Sequence, residues 1–305
     1  ITLVGLDAIN LSLGLALKAA VPELQLVGND REREQVKTAI KLGAIAKGHW
    51  NLLSACDGSD LIVISEPLSQ LETDLAALAP ELDPKVVVLV LSATQRPVQT
   101  LLERLEPRAA CLGGRFVAGG LTAGATPNAS LLQKTLCYIV AAPSTPPDAG
   151  EVVANLAEAV GARPRFVNAE EHDGIAAATE HLPQALALAL LAKLSRSGAQ
   201  RDMQRDLGSA LGELARYAPA PTELDVLLAN GDNLPYWLDA CVASLQQFSA
   251  WLAAGNKEQI AAEAKVVQQA LASWGKAEEE SAPEITTTSS WRQMFLGQWR
   301  PRRRS

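Results

Sequence analysis

Three histidines are the residues from which acid–base chemistry is expected first: His49, His172 and His181. The ordinary pKa of histidine lies near physiological pH, so a histidine-dependent mechanism must use one of the three. His181 precedes a proline at a predicted helix start, His172 lies in a Glu-Glu-His-Asp run, and His49 lies in a turn-like Gly-His-Trp run. Histidines with a purely structural role are common in such contexts, so both interpretations are open.

The turn near the start of the chain is a second candidate, because a Rossmann domain carries its G-x-G-x-x-G fingerprint there. The first glycine makes the turn, the second admits the pyrophosphate, and the third lets the helix pack closely on the strand. Here the run is Gly5-Leu6-Asp7-Ala8-Ile9-Asn10, which keeps only the first glycine. Two negative charges about 4 Å apart repel by ~1 kcal/mol in water and ~4 kcal/mol at an effective dielectric of 20. Asp7 therefore predicts weak binding of a dinucleotide.

Asp7 also has a structural interpretation. Aspartate is among the best helix N-caps, and its carboxylate accepts the free N–H groups that a phosphate would use. We therefore predict that Asp7 caps a helix beginning at Ala8. Asp30 follows the second predicted strand, where an acid binds the adenosine ribose and favours NAD over NADP, although such an acid is commonly just a helix N-cap. The predicted cofactor-site residues are Gly5, Asp7, Asn10 and Asp30.

The first half of the chain alternates apolar runs with helical segments. Near-continuous apolar runs are typical of parallel strands buried on both faces, and their alternation with helices is typical of βαβ units. The pattern predicts an α/β fold, with an N-terminal Rossmann-like doubly wound parallel sheet over residues 1–167. The predicted strands are residues 1–5, 25–28, 60–64, 85–91, 136–142 and 165–167, and the predicted helices are residues 8–20, 31–42 and 147–160.

Residues 168–275 are predicted to form an all-helical domain. The segment is rich in Ala and Leu, and we expect its helices to be broken at Pro183, Pro219, Pro221 and Pro235. Helices this apolar pack on one another and on a partner subunit. A dimerisation-type domain and a homodimer are therefore expected.

Residues 276–305 are predicted to be a polar linker and a basic, aromatic tail. The last fifteen residues, from Trp291 to Ser305, hold five arginines and no acid, and Trp291, Phe295 and Trp299 recur every four residues. One interpretation is a docking tail for a membrane surface or a protein partner. The other, which we favour, is a solvated terminus.

Composition argues against several classes of protein. Among 305 residues, 27 Lys and Arg stand against 34 Asp and Glu, and aromatic residues are 4%, so no binding of nucleic acid is expected. The four cysteines include no CxxC pair, so we predict no metal site and reduced thiols in the cytoplasm.

The longest uncharged run with helical character, residues 181–192, is too short to cross a bilayer. No signal peptide is visible, and the chain opens on an apolar strand without Met, so a short leading segment is expected.

Several motifs, in a consistent order and spacing, carry a resemblance to a known family. They are the opening strand-turn-helix, Asn29-Asp30-Arg31, Lys41-Leu42-Gly43-Ala44-Ile45, residues 60–67, Glu170-Glu171-His172-Asp173, Thr179-Glu180-His181-Leu182-Pro183, and Ala215-Arg216-Tyr217-Ala218 ahead of Leu227-Leu228-Ala229-Asn230. Through them, residues 1 to about 275 resemble the prephenate/arogenate dehydrogenase family of tyrosine biosynthesis. The resemblance implies NAD as cofactor, oxidative decarboxylation of prephenate or arogenate, and a dimer formed by the helical domain.

The resemblance also shows where this chain departs from the family. In the family, a histidine hydrogen-bonds the ring hydroxyl during hydride transfer, and an arginine holds a substrate carboxylate. The position of that histidine falls on Gly120. A nearby serine and lysine of the family fall on Ala93 and Gln95, and the second histidine of its H-L-P-H run falls on Gln184. Loss of a positioned acid or base typically costs ~10²–10⁴ in rate, so weak or no turnover is expected.

Three residues of the family pattern persist and are the predicted catalytic residues: His181, Arg216, and Glu213 in place of an aspartate. Arg216 has the geometry to bind a carboxylate with two hydrogen bonds, or to form a helix-surface salt bridge with Glu213 three residues earlier. Three hypotheses follow. The chain is a slow NAD-linked enzyme, a non-catalytic binding or assembly subunit (a pseudoenzyme), or a sensor that binds a small carboxylate through Arg216.

Overall fold

A computed structural model describes residues 1–105, 107–118, 126–142, 144–197, 209–220 and 224–280. Within these residues, eight strands form one sheet in the order β3-β2-β1-β4-β5-β6-β7-β8. The strands are β1 (Thr2–Val4), β2 (Val27–Asn29), β3 (Lys47–Gly48), β4 (Leu61–Ile64), β5 (Val87–Leu91), β6 (Ala110–Val117), β7 (Leu136–Val140) and β8 (Arg163–Phe166). All neighbouring strands are parallel except β6 and β7, which are antiparallel.

Helices cover both faces of this sheet. They are α1 (Ala8–Ala20), α2 (Arg33–Leu42), α3 (Leu52–Cys56), α4 (Leu68–Leu78), α5 (Arg96–Leu105) and α6 (Pro147–Ala159). Alternate side chains of β1 enter two separate cores, because successive residues of a strand point to opposite faces. Leu3 packs in the core that contains α1 and α6, whereas Val4 packs in the core that contains α4 and α5. The predicted Rossmann-like doubly wound sheet is confirmed, and α1 has the predicted bounds.

The strand order reverses at β1, which lies between β2 and β4. In open α/β sheets, ligands bind in the crevice outside the carboxyl ends of the strands at such a switch point. The turn that follows β1 therefore lies where a dinucleotide site is expected.

The second half of the chain is helical, as predicted. It contains α7 (Ala169–Ala176), a π-helical turn (Ala177–His181), α8 (Leu182–Ser195), α9 (Ser209–Ala215), α10 (Leu224–Ala229), α11 (Leu234–Ala253) and α12 (Lys257–Glu280). Helix α12 continues five residues beyond the predicted end of the domain at residue 275, because the residues there are mostly Lys, Ala and Glu, which favour helix.

The break predicted at Pro183 is wrong. The chain is helical from Ala169 to Ser195 without interruption. The π-helical turn directly precedes Pro183 and accommodates the residue that lacks a backbone N–H. This helix is also long and apolar enough to span a membrane by length and composition, which residues 181–192 alone are not. Its first half carries the buried side chain of Asp173, which accepts a hydrogen bond from the Gln95 N–H of the sheet domain.

Candidate active site

Asp7 occupies the beginning of helix α1. Its Oδ1 accepts a hydrogen bond from the Asn10 N–H at 2.8 Å, and its Oδ2 accepts one from the Ser65 hydroxyl at 2.7 Å. The prediction that Asp7 caps this helix is confirmed. Desolvation raises the pKa of the Asp7 carboxyl, while the hydrogen bonds from Asn10 and Ser65 oppose that shift. The carboxylate thus takes the place at the helix N-terminus that suits a bound anion.

Asp30 and Asn10 hydrogen-bond to the same turn. The Leu6 N–H donates to Asp30 Oδ2 at 2.8 Å, and the Glu32 N–H donates to Asp30 Oδ1 at 2.7 Å. The Asn10 side-chain amide donates to the carbonyls of Val4 at 3.0 Å and of Gly5 at 2.7 Å. The four predicted cofactor-site residues therefore lie together, and their side chains hydrogen-bond mainly to backbone groups of this turn and of the residues that flank it.

Gly5 is the one fingerprint glycine that the turn still requires. Its φ of 74° lies in the left-handed region, and a Cβ at this position would stand 2.1 Å from the Ser65 carbonyl oxygen. The same Cβ would lie 3.2 Å from Cδ of Glu66, so this acid borders the turn. Burial, followed by the nearby charges of Asp74 and Asp30, raises the pKa of Glu66 to about 7.

These residues do not fit the diphosphate of a dinucleotide. Two backbone amides, that of Leu6 in the turn and that of Asn10 in the first turn of α1, already donate to carboxylates of the chain. Asp7 adds a side chain where the fingerprint has glycine, and the surrounding side chains Asp30 and Glu66 are acids. A diphosphate would have to displace Asp7 and accept the repulsion of its neighbours.

A second polar cluster joins the sheet to the helical half, with Asp173 of α7 at its centre. Asp173 is fully buried. Its Oδ1 accepts from the Gln95 N–H at 2.6 Å, and its Oδ2 accepts from the Arg96 N–H at 3.0 Å and from Arg96 Nε at 3.2 Å. Burial disfavours its charge, yet hydrogen bonds from His172, Arg96 and Gln95 outweigh burial and lower the pKa of Asp173. The pair of Asp173 and Arg96 therefore anchors α7 to the start of α5.

Asn230, after α10, extends this cluster to His181. The Asn230 amide Nδ2 lies 2.7 Å from the Asp173 carbonyl oxygen and 3.0 Å from His181 Nδ1. Arg96 also reaches Asn230 Oδ1 at 3.0 Å and pairs with Asp232, which lowers the pKa of Asp232 to about 2. His181 is fully buried, and burial lowers its pKa, which favours the neutral imidazole.

The chain matches two family models in succession. The first, described as the nucleotide-binding domain of prephenate dehydrogenase, covers residues 13–165, and the second, its dimerization domain, covers residues 168–266. The chain belongs to the prephenate dehydrogenase family. The first match begins after the turn that holds Gly5, Asp7 and Asn10, which is the part that departs from the fingerprint.

Curated relatives and solved structures agree with this family. A prephenate dehydrogenase of Bacillus subtilis is 26% identical over 267 residues, which are 83% of this chain and 67% of the relative. A cyclohexadienyl dehydrogenase of Zymomonas mobilis is 24% identical over 278 residues, which are 88% of this chain and 94% of the relative. A structure of Aquifex aeolicus prephenate dehydrogenase with hydroxyphenyl propionate and NAD+ has a TM-score of 0.79, 20% identity, and coverage of 89% and 96% of the two chains. Synechocystis arogenate dehydrogenase has a TM-score of 0.68 at 19% identity, and the match covers 90% of this chain and 99% of that chain.

Arg216 and Glu213, two of the predicted catalytic residues, lie on the surface of the protein. They form an ion pair with each other at 3.6 Å, and more than half of each side chain is exposed. This pair matches the alternative interpretation of Arg216, a helix-surface salt bridge. The assignment of both residues as catalytic in this family member stays a prediction.

Several residues of the second cluster carry no site assignment from sequence. Asn230 ends one of the motifs on which the family resemblance rests, and Arg96 follows directly after Gln95, the position of the family's lysine. This closeness to family motifs is the only sequence signal for either residue, because Arg96 and Asn230 are 134 positions apart along the chain. Gly120, on which the family's catalytic histidine falls, lies outside the described residues, as does the tail that begins at Trp291.

Proposed function

We propose that this chain is a prephenate dehydrogenase-family protein whose NAD-linked turnover is weak or absent. The family's reaction, oxidative decarboxylation of prephenate or arogenate, needs a bound dinucleotide to accept hydride and a histidine at the substrate's ring hydroxyl. This chain has glycine at residue 120 where the family has that histidine. Because the turn after β1 does not fit a diphosphate, hydride transfer to a nicotinamide is not part of the function we propose.

One observation carries this proposal: the hydrogen bonds that Asp7 and Asp30 accept from the amides of the β1–α1 turn. A carboxylate on a helix N-terminus competes directly with a phosphate for the same N–H groups. Repulsion of ~1–4 kcal/mol between two charges at about 4 Å corresponds to roughly a 5- to 1,000-fold loss of affinity. The loss of a positioned acid or base adds a factor of ~10²–10⁴ in rate.

Titration of the purified protein with NAD and NADP by calorimetry tests the proposal. We expect no heat of binding for either cofactor at concentrations that saturate the Bacillus subtilis relative, which serves as the positive control. A parallel assay follows absorbance at 340 nm with prephenate and then with arogenate. Reduction of NAD at a rate comparable to that relative would show the proposal to be wrong.

The second candidate function is that of a binding or assembly subunit, and one surface favours it. Val242, Leu245, Phe248 and Leu252 recur every three or four residues of α11 and are all exposed; we call these four residues the α11 face. Exposed apolar residues in such a stripe mark a protein interface. Since this segment matches a dimerization domain, a homodimer is the proposed assembly.

Two further expectations belong to this proposal. The cytoplasm is the proposed location, as for a biosynthetic enzyme of this family with reduced cysteines. A protein partner or a membrane surface bound through residues 291–305 is tested by deleting them. If the full chain pellets with anionic vesicles or binds a partner and the truncated chain does so equally, the tail has no docking role.

A further inference from the structure

Glu66 is an acid at the edge of the crevice where a dinucleotide site is expected. It follows Ser65, directly after β4, and β4 lies next to β1 at the point where the strand order reverses. A Cβ on Gly5 would stand 3.2 Å from Cδ of Glu66, so the carboxyl group lies against the turn after β1. Within the described part of the chain, Glu66 has no hydrogen bond or ion pair that would hold its charge.

The charged groups that act on Glu66 come from three places in the fold. They are Asp74 of α4, Asp30 and Arg31 after β2, and Asp7 at the beginning of α1. Arg31 is the one base among them, and it is already paired with Asp74 at 2.7 Å. Burial and the nearby acids raise the pKa of Glu66 to about 7, so its charge is the one in this cluster that a change of pH near neutrality removes.

The turn is open to solvent on the side of these acids. Asp7 is exposed, and Asp30, Ser65 and Glu66 are half-buried. An anion that approaches the turn therefore meets Glu66 as well as Asp7. The charge of Asp7 is held by hydrogen bonds from the Asn10 N–H and the Ser65 hydroxyl, whereas that of Glu66 has no such donors.

We propose that Glu66 is a specificity-determining residue of this crevice: its carboxylate repels anionic ligands, and a proton bound to it lets a diphosphate bind more tightly. The inference rests on the proposed function, in which acids weaken the binding of a dinucleotide, and adds a second acid to Asp7. Because the effect is electrostatic, it depends on the charge of the ligand and leaves a neutral nucleoside unaffected. Linkage also makes it reciprocal, since a proton that favours the anion must be favoured by the anion.

ADP-ribose and adenosine are the probes that separate charge from shape. ADP-ribose carries the diphosphate of NAD, and adenosine carries no phosphate. Each is titrated at millimolar concentration into the full chain at pH 5.5 and pH 8, with binding followed by NMR chemical shifts and folding by circular dichroism. We expect the affinity for ADP-ribose to be about tenfold higher at pH 5.5, and that for adenosine to be unchanged. Equal affinities for ADP-ribose at the two pH values, or no binding at pH 5.5, overturn the inference.

Three variants assign the pH dependence to one group. Glu66→Gln keeps the size of the side chain and removes its charge, so ADP-ribose is expected to bind equally at both pH values. Asp7→Asn is expected to bind more tightly at both and to keep the wild-type ratio. Imidazoles titrate in the same range, and the His49 carbonyl accepts from Asn29 Nδ2 at 2.8 Å beside the crevice, so His49→Asn is the control and should also keep the ratio. A ratio that persists in Glu66→Gln contradicts the role of Glu66.

Proton uptake tests the same inference without a variant. Calorimetry at pH 7 in buffers of different ionisation enthalpy is expected to show that ADP-ribose takes up as much as about half a proton on binding, because Glu66 is half protonated there before the ligand arrives. Binding without proton uptake overturns the inference and leaves the proposed function standing. Tight binding of NAD at pH 8 contradicts the proposed function instead, so the two failures are distinguishable.

Discussion

At the scale of single residues, Asp7 stabilises the beginning of helix α1 with its own carboxylate. Its carboxylate accepts from the Asn10 amide and the Ser65 hydroxyl, which satisfies part of the helix terminus without a ligand. We therefore expect the side chain of Asp7 to stabilise the free protein and to weaken the binding of a dinucleotide.

Asp7→Gly is expected to restore affinity for NAD. The substitution removes the charge and the side chain from the helix terminus, while glycine remains an acceptable N-cap at a cost of only a few tenths of a kcal/mol. Calorimetric titration with NAD is expected to show binding at least about tenfold tighter than in the wild type.

Asp7→Asn is the matched control for that substitution. Asparagine keeps the size and the cap but loses the charge. We expect it to gain less affinity than glycine, because the side chain still occupies the phosphate position. If neither variant binds NAD better than the wild type, Asp7 is not the cause of weak NAD binding.

Glu66 makes stability depend on pH. Its pKa is about 7 in the folded protein against an ordinary 4.5, so the folded state binds the proton more tightly than the unfolded chain. The contribution to stability is complete below pH 4.5 and is lost as the pH rises through 7. Glu66→Gln removes this dependence, so the variant is expected to be more stable than the wild type at pH 8 by on the order of 1 kcal/mol, a value reduced for solvent screening.

Urea unfolding at pH 5 and pH 8 measures this difference. The difference in free energy of unfolding between Glu66→Gln and the wild type should be small at pH 5 and larger, in favour of the variant, at pH 8. Glu23→Gln, at an exposed carboxylate in the turn after α1, is the control and should change stability equally at both pH values. If the stability gained by Glu66→Gln does not grow with pH, burial and the acids around Glu66 do not destabilise its charge.

At the scale of elements, a buried carboxylate supplies the polar contact between α7 and the start of α5. Asp173 accepts from two consecutive amides at the start of α5 and pairs with Arg96. Asp173→Asn replaces one of the two acceptor oxygens with a donor, so one of those groups faces a donor, and it removes the buried charge that pairs with Arg96, which keeps Asn230 and Asp232. Removing one member of a buried pair costs ~3–5 kcal/mol, so the free energy of unfolding is expected to fall by about 3 kcal/mol.

Glu171→Gln is the matched control in the same helix. Glu171 pairs with Arg165, and about half of each side chain is exposed. Exposed pairs contribute about 0–1 kcal/mol, so this variant should unfold at nearly the wild-type urea concentration. If Asp173→Asn and Glu171→Gln lower the free energy of unfolding equally, Asp173 does not anchor α7.

The elements also show how far sequence reasoning reaches. The sequence predicts helix α1 with its observed bounds because its apolar spacing and its cap are both local signals. Strand β3, with two residues, is defined by pairing with β2 and has no pattern of its own. The π-helical turn before Pro183 also has no local signal, and His181 at its end hydrogen-bonds Asn230, which lies 49 residues further along the chain. Long-range contacts, such as that of Arg96 with Asn230, leave no periodic trace in the sequence.

At the scale of the whole molecule, the described part of the helical half presents exposed apolar stripes on α11 and α12. Leu245 at the centre of the α11 face is 61% exposed, and helix α12 adds Val267, Leu271 and Trp274, which are exposed at similar spacing. Burying such stripes against a second copy is the simplest way to remove them from water. Assembly can then persist in a family member whose cofactor turn is filled by its own side chains.

Leu245→Glu is expected to convert a homodimer into a monomer. The substitution places a charge at the centre of the α11 face, where an unpaired buried charge opposes association strongly. Light scattering coupled to size-exclusion chromatography should give twice the chain mass for the wild type and a single chain mass for the variant. Gln247→Glu adds the same charge to α11 away from that face, so it should stay dimeric. A Leu245→Glu protein that remains dimeric and folded by circular dichroism would place the interface elsewhere on the helical half.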